Sequence, residues 1–158
     1  MGLKVTKAND YAIRAMIHLA CLPPERVALR SQIAEAQDIP SSFMAKILRN
    51  LVRAGLLRSS RGVNGGFALA RPAAEITMLD VVEAIEGPLQ LLDCVPDATR
   101  CIHARKCPAG PVWTEVQAGI RRILGATSLE QLVSAPMRRG RLVSLPQPVA
   151  AAHDHLAG

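Results

Sequence analysis

The stretch from residue 29 to residue 71 constrains the fold most, because it predicts two short helices and a hairpin in immediate succession. "LRSQIAEAQDI" has the pattern of a short helix, and "PSSFMAKILRNLVRAG" that of a longer one, which Pro40 and Ser41 begin and Gly55 ends. Apolar residues recur in the longer helix at intervals of three and four and are expected to face the core: Phe43, Ile47, Leu48, Leu51 and Val52. The opposite side carries Ser42, Lys46, Arg49, Asn50 and Arg53. This pair predicts a helix-turn-helix whose second helix is polar and basic on its free side.

The segment "LLRSSRGVNGGFALARP" predicts a strand, a glycine-rich turn and a second strand. Its glycines permit close approach to a phosphate chain, and Arg61 at the tip is placed to enter a minor groove. A plain structural hairpin is the competing interpretation, but a basic tip that follows a basic helix favours a wing on duplex DNA. The candidate DNA-binding residues are Ser41, Ser42, Lys46, Arg49, Arg61 and Asn64.

The charge of the chain is unevenly distributed. Residues 1–72 carry 11 Lys and Arg against 4 Asp and Glu, whereas residues 73–158 carry 8 against 9. The positive excess therefore lies in the half that holds the predicted helix-turn-helix and hairpin, as a polyanionic partner requires. The alternative is a basic surface that has no partner.

Four further segments have helical patterns. "NDYAIRAMIHLACL" precedes the helix-turn-helix, and Cys21 near its end is expected to be a small buried residue. "ITMLDVVEAIEGP" has Thr77 and Asp80 at capping-box positions, and "TSLEQLV" is expected to be capped from Thr127 to Glu130. "PAGPVWTEVQAGIRRIL" is either a final core helix or a dimer seam. Its apolar stripe consists of Val112, Trp113, Val116, Ile120, Ile123 and Leu124.

Three of the four cysteines lie in "CVPDATRCIHARKC", residues 94–107. The C-x2-C spacing of zinc sites is absent, ferredoxin-type clusters use tighter spacing, and a disulfide would leave one cysteine unpaired. Basic residues beside the sulfurs and a helix start after Cys107 favour thiolates. The spacing leaves open an iron–sulfur site, a zinc site, a thiol redox switch or no site at all.

Other sequence features exclude several classes of protein. No run of about 18 apolar residues occurs and the start is too polar for a signal peptide, so we expect a cytoplasmic protein without a membrane segment. We expect no enzyme and no catalytic residues, because there is neither a nucleotide-binding glycine motif nor a nucleophile–base spacing. The chain after residue 136 is expected to be a disordered tail with incidental histidines at 153 and 155.

The segments "LKVTKANDYAIRAM", "RGVNGGFALARPAAEITMLDVVEAIEG", C-x6-C-x5-C and "SLEQLV" together resemble the Rrf2 family of bacterial winged-helix transcriptional regulators. The resemblance covers roughly residues 1–135. It implies a mainly α fold with a small β-hairpin wing, in which a winged helix-turn-helix is followed by a long dimerisation helix. It also implies a homodimer that binds a palindromic operator in double-stranded DNA. We expect a DNA-binding domain over 1–87, a cysteine loop over 88–108, a dimerisation helix with a short capping helix over 109–135, and a tail over 136–158.

In that family the loop cysteines hold an iron–sulfur cluster, and the matching residues here are Cys94, Cys101 and Cys107. The resemblance implies Asp10 of the partner subunit as the fourth ligand. The rival ligand is His103, and the alternative role of Asp10 is to cap the first helix. Assembly-type members carry a histidine where this chain has Gly110, which favours a 4Fe-4S cluster over a 2Fe-2S cluster.

The function implied is a DNA-binding transcriptional regulator, expected to be a repressor, whose cluster senses nitric oxide, redox state or iron. One alternative is a thiol or zinc switch without a cluster on the same fold. An alternative outside transcriptional regulation is a redox carrier, but such a protein has no need of the predicted wing.

Overall fold

Helices form most of the part of the chain that the structure, a computed structural model, describes: residues 5–24, 26–62, 65–92 and 106–135. The elements in order are α1 (Lys7–Ala20), α2 (Arg30–Ala36), α3 (Ser41–Arg53), β1 (Leu57–Ser60), β2 (Gly66–Leu69), a 3₁₀ helix (Ala73–Glu75), α4 (Met78–Glu86), α5 (Gly110–Ala126) and α6 (Leu129–Ser134). The strands form one antiparallel hairpin. The predicted mainly α fold with a small hairpin is therefore confirmed.

Three helix starts are capped by hydroxyl side chains. The capping box of Thr77 and Asp80 on α4 is confirmed, with the Asp80 amide donating to the Thr77 hydroxyl at 3.2 Å. The cap of α6 is Ser128 rather than Thr127, because the Thr127 hydroxyl donates back to the Ile123 carbonyl of α5. Thr6 caps α1, so the alternative in which Asp10 is the cap is wrong.

The turn between α2 and α3 is closed by a Schellman arrangement. The Ile39 amide donates to the Ala34 carbonyl at 2.9 Å and the Asp38 amide to the Glu35 carbonyl at 3.2 Å. Asp38 adopts a φ of 51°, which its short polar side chain tolerates better than most. This turn sets the angle at which α3 leaves α2 and completes the helix-turn-helix.

The hairpin packs closely on the segment between α1 and α2. Ala28 exchanges two backbone hydrogen bonds with Phe67, both at 2.9 Å. A Cβ atom on Gly66 would come within 2.7 Å of the Ala28 carbonyl oxygen, and one on Gly65 within 2.5 Å of the Ser60 carbonyl oxygen. These two glycines are therefore required by the hairpin itself, whether or not a phosphate approaches it.

One apolar core joins the helices to the base of the hairpin. Its largest fully buried side chains are Met16, Ile33, Met44, Leu48, Leu51, Ile76, Val81 and Leu129. Leu129 of α6 enters this core because its amide donates to the Ile76 carbonyl at 2.9 Å, which brings α6 against the segment that precedes α4. Truncating one such side chain to Ala costs about 2–5 kcal/mol of stability, so α3 is held rigidly from its buried side.

Two expected core residues lie on the surface. Phe43 is 51% exposed, since the buried stripe of α3 is centred on Met44, one position (about 100°) further round the helix. Cys21 is exposed because it is the C-terminal cap of α1, beyond the last buried residue of that helix, Leu19.

Candidate nucleic-acid interface and metal ligands

The solvent side of α3 is polar and basic. Ser41, Ser42, Lys46 and Arg49 are all exposed, while Met44, Ile47, Leu48 and Leu51 on the other side are buried. Residues 42, 46 and 49 follow one another at intervals of four and three, so they lie on one helical face. This face can present hydroxyl and cationic donors to base edges and phosphates at the same time.

The hairpin adds a second basic element. Arg61 is exposed immediately after β1, in the turn that joins the two strands. Asn64, the other candidate in this turn, lies outside the described residues. The structure therefore shows an arginine available at the tip, as a contact to the minor groove requires.

An aromatic contact joins α1 to the start of α3, and sequence reasoning missed it. The rings of Tyr11 and Phe43 meet edge to face, with centroids 6.1 Å apart and planes at 77°. The Arg14 guanidinium lies over the Tyr11 ring, 5.8 Å from its centroid. Centring the apolar stripe of α3 on Met44 would have identified Phe43 as a boundary residue available for such a contact.

The candidate metal ligands are only partly within the described residues. Cys94, Cys101 and the rival ligand His103 lie outside them, and no three His, Cys, Asp or Glu residues in the described part come together as a metal site. Cys107 is half-buried just before α5, and its carbonyl accepts a hydrogen bond from the Gly110 amide at 3.2 Å. Asp10 lies inside α1 with its carboxylate exposed.

Each of these two donors is of a chemical type that binds iron. The Cys107 sulfur belongs to a free cysteine, and the Asp10 carboxylate is held only by an exposed pair with Arg14 at 3.6 Å. Such an exposed pair contributes about 0–1 kcal/mol, so it leaves the carboxylate available. Thiolate and carboxylate are both iron ligands in proteins.

Comparison with known proteins decides the family. A model described as the Rrf2 iron-dependent transcriptional regulator matches residues 5–135. The chain belongs to the Rrf2 family. The resemblance stated from the sequence is thereby confirmed.

Rrf2 relatives are similar along nearly the whole chain. Rv1287 of Mycobacterium tuberculosis, which is named as an HTH-type transcriptional regulator, is 34% identical over 96% of this chain and 89% of its own length. Protein aau3 of Rhizobium meliloti is 31% identical over 93% of this chain and 96% of its own length.

Two solved structures share the fold. CymR, the global cysteine regulator of B. subtilis, has a TM-score of 0.66 at 26% identity, covering 84% of this chain and 98% of CymR. IscR of T. potens has a TM-score of 0.65 at 29% identity, covering 84% of this chain and 88% of IscR. The winged-helix fold and the assignment as a transcriptional regulator, not an enzyme, are confirmed.

The α5 helix of this Rrf2 protein is not a core helix. None of its 17 residues, all of which the structure describes, is buried. Val112 is 59% exposed, Val116 39% and Ile123 38%, although each is apolar. The core-helix alternative is therefore wrong, and four of the six stripe residues are exposed, while Ile120 and Leu124 are half-buried. In the described part of this Rrf2 chain no helix is long and apolar enough to cross a membrane.

Replacing Arg61 with Ala should weaken binding of the Rrf2 protein to its operator by about 1–3 kcal/mol, because the tip would lose its cationic contact in the minor groove. Fluorescence anisotropy of a labelled operator at several salt concentrations measures this. Arg122→Ala is the matched control, since it removes the same charge from an exposed position on α5. Equal affinities of the parent and the Arg61→Ala protein at every salt concentration would refute the assignment.

Proposed function

We propose that this Rrf2 protein is a DNA-binding repressor whose affinity for a palindromic operator is controlled by an iron–sulfur cluster. The observation that carries the proposal is the set of three cysteines, Cys94, Cys101 and Cys107, in the stretch of sequence between α4 and α5. This order supports a sensor because the cysteines lie in sequence between the DNA-binding unit and the helix with exposed apolar residues.

The DNA contacts divide between α3 and the hairpin. Ser42 and Lys46 reach base edges in the major groove, and Arg49 holds the phosphate backbone. Arg61 enters the neighbouring minor groove, while Ser41 and Asn64 contact phosphates beside it. One recognition helix gives too short a readout for a tight site, so two copies bind two half-sites.

The two copies are joined through α5. Four residues of its apolar stripe are exposed in the single chain, and packing them on the same stripe of a second copy removes that surface from water. The homodimer then carries two α3 helices and two hairpins, as a palindromic operator requires.

The cluster ligands are the three loop cysteines and Asp10 of the partner subunit. When bound, the cluster supplies iron sites that respond to nitric oxide, redox state or iron supply. A carboxylate is a weaker ligand than a thiolate, so Asp10 leaves an exchangeable position among three firm ones. With Gly110 in the position of the family's histidine, the donor set favours 4Fe-4S over 2Fe-2S.

The position of Asp10 links the cluster to DNA binding. Asp10 lies in α1, which packs on α3 and on α4. A ligand supplied by one subunit to the cysteines of the other makes the placement of the two winged domains depend on the cluster. The cluster-loaded and cluster-free states then differ in DNA affinity, which any ligand-controlled switch requires.

A thiol or zinc switch without a cluster is the second candidate. It is favoured by the similarity to CymR, because CymR is a global cysteine regulator and its Staphylococcus aureus form has been solved in an oxidised state. The same loop cysteines would act as thiols or bind zinc in that case. A redox carrier is not retained, since the chain belongs to a family of transcriptional regulators.

Anaerobic purification tests the proposal. We expect a visible spectrum with iron and sulfide in the protein, and a change in operator retardation when stoichiometric nitric oxide is added or the cluster is removed. A colourless protein whose DNA affinity changes reversibly with oxidant and thiol reductant would establish a thiol switch. A colourless protein that contains zinc would establish a zinc switch. An intact cluster that has no effect on retardation would contradict the proposed control.

A further inference from the structure

Two side chains hold the start of the cysteine loop against α4 and α5. The Leu89 amide donates to Glu83 Oε1 of α4 at 3.0 Å, and the Leu91 amide donates to Gln117 Oε1 of α5 at 3.0 Å. Both bonds are partly shielded from solvent, which strengthens them relative to exposed bonds. Leu91 lies three residues before Cys94, so the chain enters the ligand-bearing loop from a fixed point on two helices.

Glu83 has a second partner on α5. Arg121 donates a hydrogen bond to the same Oε1 atom that accepts from Leu89, and the two side chains also form an ion pair. The Glu83 side chain is 28% exposed and that of Arg121 41%, so the pair lies at the edge of the α4–α5 contact. One carboxylate oxygen therefore joins α4, α5 and the loop.

The chain reverses its direction after α4, so the residues that follow the helix contact Glu83. The Gly87 amide donates to the Glu83 carbonyl at 2.9 Å, and Gly87 adopts a φ of 84°, a conformation that glycine adopts readily. The reversal at Gly87 carries Leu89 over the Glu83 side chain. A displacement of the chain that reaches back past Leu91 would therefore act on the bond between Leu89 and Glu83.

The same helix reaches the DNA-binding unit. Glu83, Ala84 and Ile85 line a shallow cavity together with Asn50 and Arg53 of α3. At the end of α4, the Glu86 carboxylate accepts a hydrogen bond from the Thr6 hydroxyl that caps α1. The α4 helix therefore contacts both α3, which carries the DNA-binding candidates, and α1, which carries Asp10.

We propose that Glu83 is a positioning residue that transmits the state of the cysteine loop to α3, an inference that rests on the proposed function. With residues 89–91 against the helices, Glu83 accepts from both Leu89 and Arg121, and α4 is held to α5. When these residues are drawn away, the Leu89 bond is lost and only the partly exposed Arg121 pair remains. The two arrangements are discrete because the amide either has this acceptor or does not.

Glu83→Ala and Glu83→Gln test the inference. The measured quantity is the ratio of operator dissociation constants with and without the cluster, expected to be about 5–150-fold or its inverse in the parent. Glu83→Ala should retain the visible spectrum but bring this ratio to within about twofold of one. Glu83→Gln should keep most of the parent's ratio, because its amide oxygen can accept both bonds. Glu75→Ala is the control, since it removes an exposed carboxylate in the 3₁₀ helix.

A second measurement does not need the cluster. In cluster-free protein, hydrogen exchange at the Leu89 amide should be at least about tenfold faster in Glu83→Ala than in the parent or in Glu75→Ala. If Glu83→Ala does not unfold cooperatively, Arg121→Leu replaces it in the affinity measurement, because it leaves the Leu89 bond but removes the contact with α5. The same collapse of the affinity ratio is then expected.

The outcomes separate the two proposals. A Glu83→Ala protein, or its Arg121→Leu substitute, that is loaded with cluster and retains the parent's ratio would overturn the inference and leave the proposed function standing. A parent protein that binds no cluster would overturn the proposed function, and hydrogen exchange at the Leu89 amide would then test whether Glu83 holds the start of the loop. If the Leu89 amide exchanges at the same rate in Glu83→Ala as in the parent, Glu83 does not have that role, whether or not a cluster binds.

Discussion

The Cys94→Ala, Cys101→Ala and Cys107→Ala proteins should each be colourless and nearly free of iron after anaerobic purification. Removing one thiolate leaves two of the three proposed cysteine ligands, and neither water nor an alanine methyl group replaces the strong iron–sulfur bond that is lost. The visible spectrum and the iron content per chain measure the effect. Cys21→Ala is the matched control, because Cys21 is exposed at the end of α1 and lies far from the loop in sequence.

The Asp10→Ala protein, unlike the cysteine variants, should still bind a cluster. Its three thiolates remain, so we expect a cluster that forms but is lost faster in air and responds differently to nitric oxide. The exposed pair between Asp10 and Arg14 contributes about 0–1 kcal/mol, so an altered response would not reflect unfolding.

Full iron and a normal spectrum in all three cysteine variants would show that the loop holds no cluster.

The double substitution Ile120→Glu and Ile123→Glu should convert the protein to monomers that no longer retard a palindromic DNA fragment. The two isoleucines lie in the apolar stripe of α5, where Ile123 is exposed and Ile120 half-buried in the single chain, and burying two carboxylates in a dimer seam is strongly unfavourable. A monomer binds one half-site only, so operator affinity should fall at least about 100-fold. Light scattering and gel retardation at matched concentrations measure the two effects.

The control for this pair is Arg122→Glu. It changes the net charge by −2, as the two isoleucine replacements together do, at an exposed position between them. The Arg122→Glu protein should remain dimeric. A loss of DNA affinity that it shares with the double isoleucine variant is therefore caused by the change in charge and not by the loss of the dimer. A parent protein that light scattering shows to be monomeric at micromolar concentration would refute the dimer.

Several elements were predictable because their causes lie within a few residues. Thr77 and Asp80 are three positions apart, so the capping box of α4 is visible in the sequence and is found in the structure. Gly55 ends α3 with a φ of 72°, a conformation that glycine adopts without strain. The apolar spacing of α3 predicted a helix with one buried face, although it was centred one residue too early at Phe43.

The cap of α6 shows where local reasoning reached its limit. Thr127 and Ser128 both have hydroxyl groups, and both precede an acidic or amide residue by three positions. Backbone pairing of residues 127–129 with residues 76–78 decided between them, because it places Ser128 at the helix start and leaves Thr127 against α5. No pattern within the segment contains that information.

The sequence by itself determined the order of helices and strands, the polar and basic character of the solvent side of α3 and the family, since periodicity, caps and motifs act over short stretches of chain. Only the tertiary structure decided that Phe43 and Cys21 are exposed, that Leu129 belongs to the core and that no residue of α5 is buried. It alone revealed the joint contact of Glu83 with Leu89 and with Arg121, 38 residues further along the chain. The physical reason is that burial and long-range hydrogen bonds depend on how the elements pack, whereas caps and helical periodicity depend on neighbours within one or two turns.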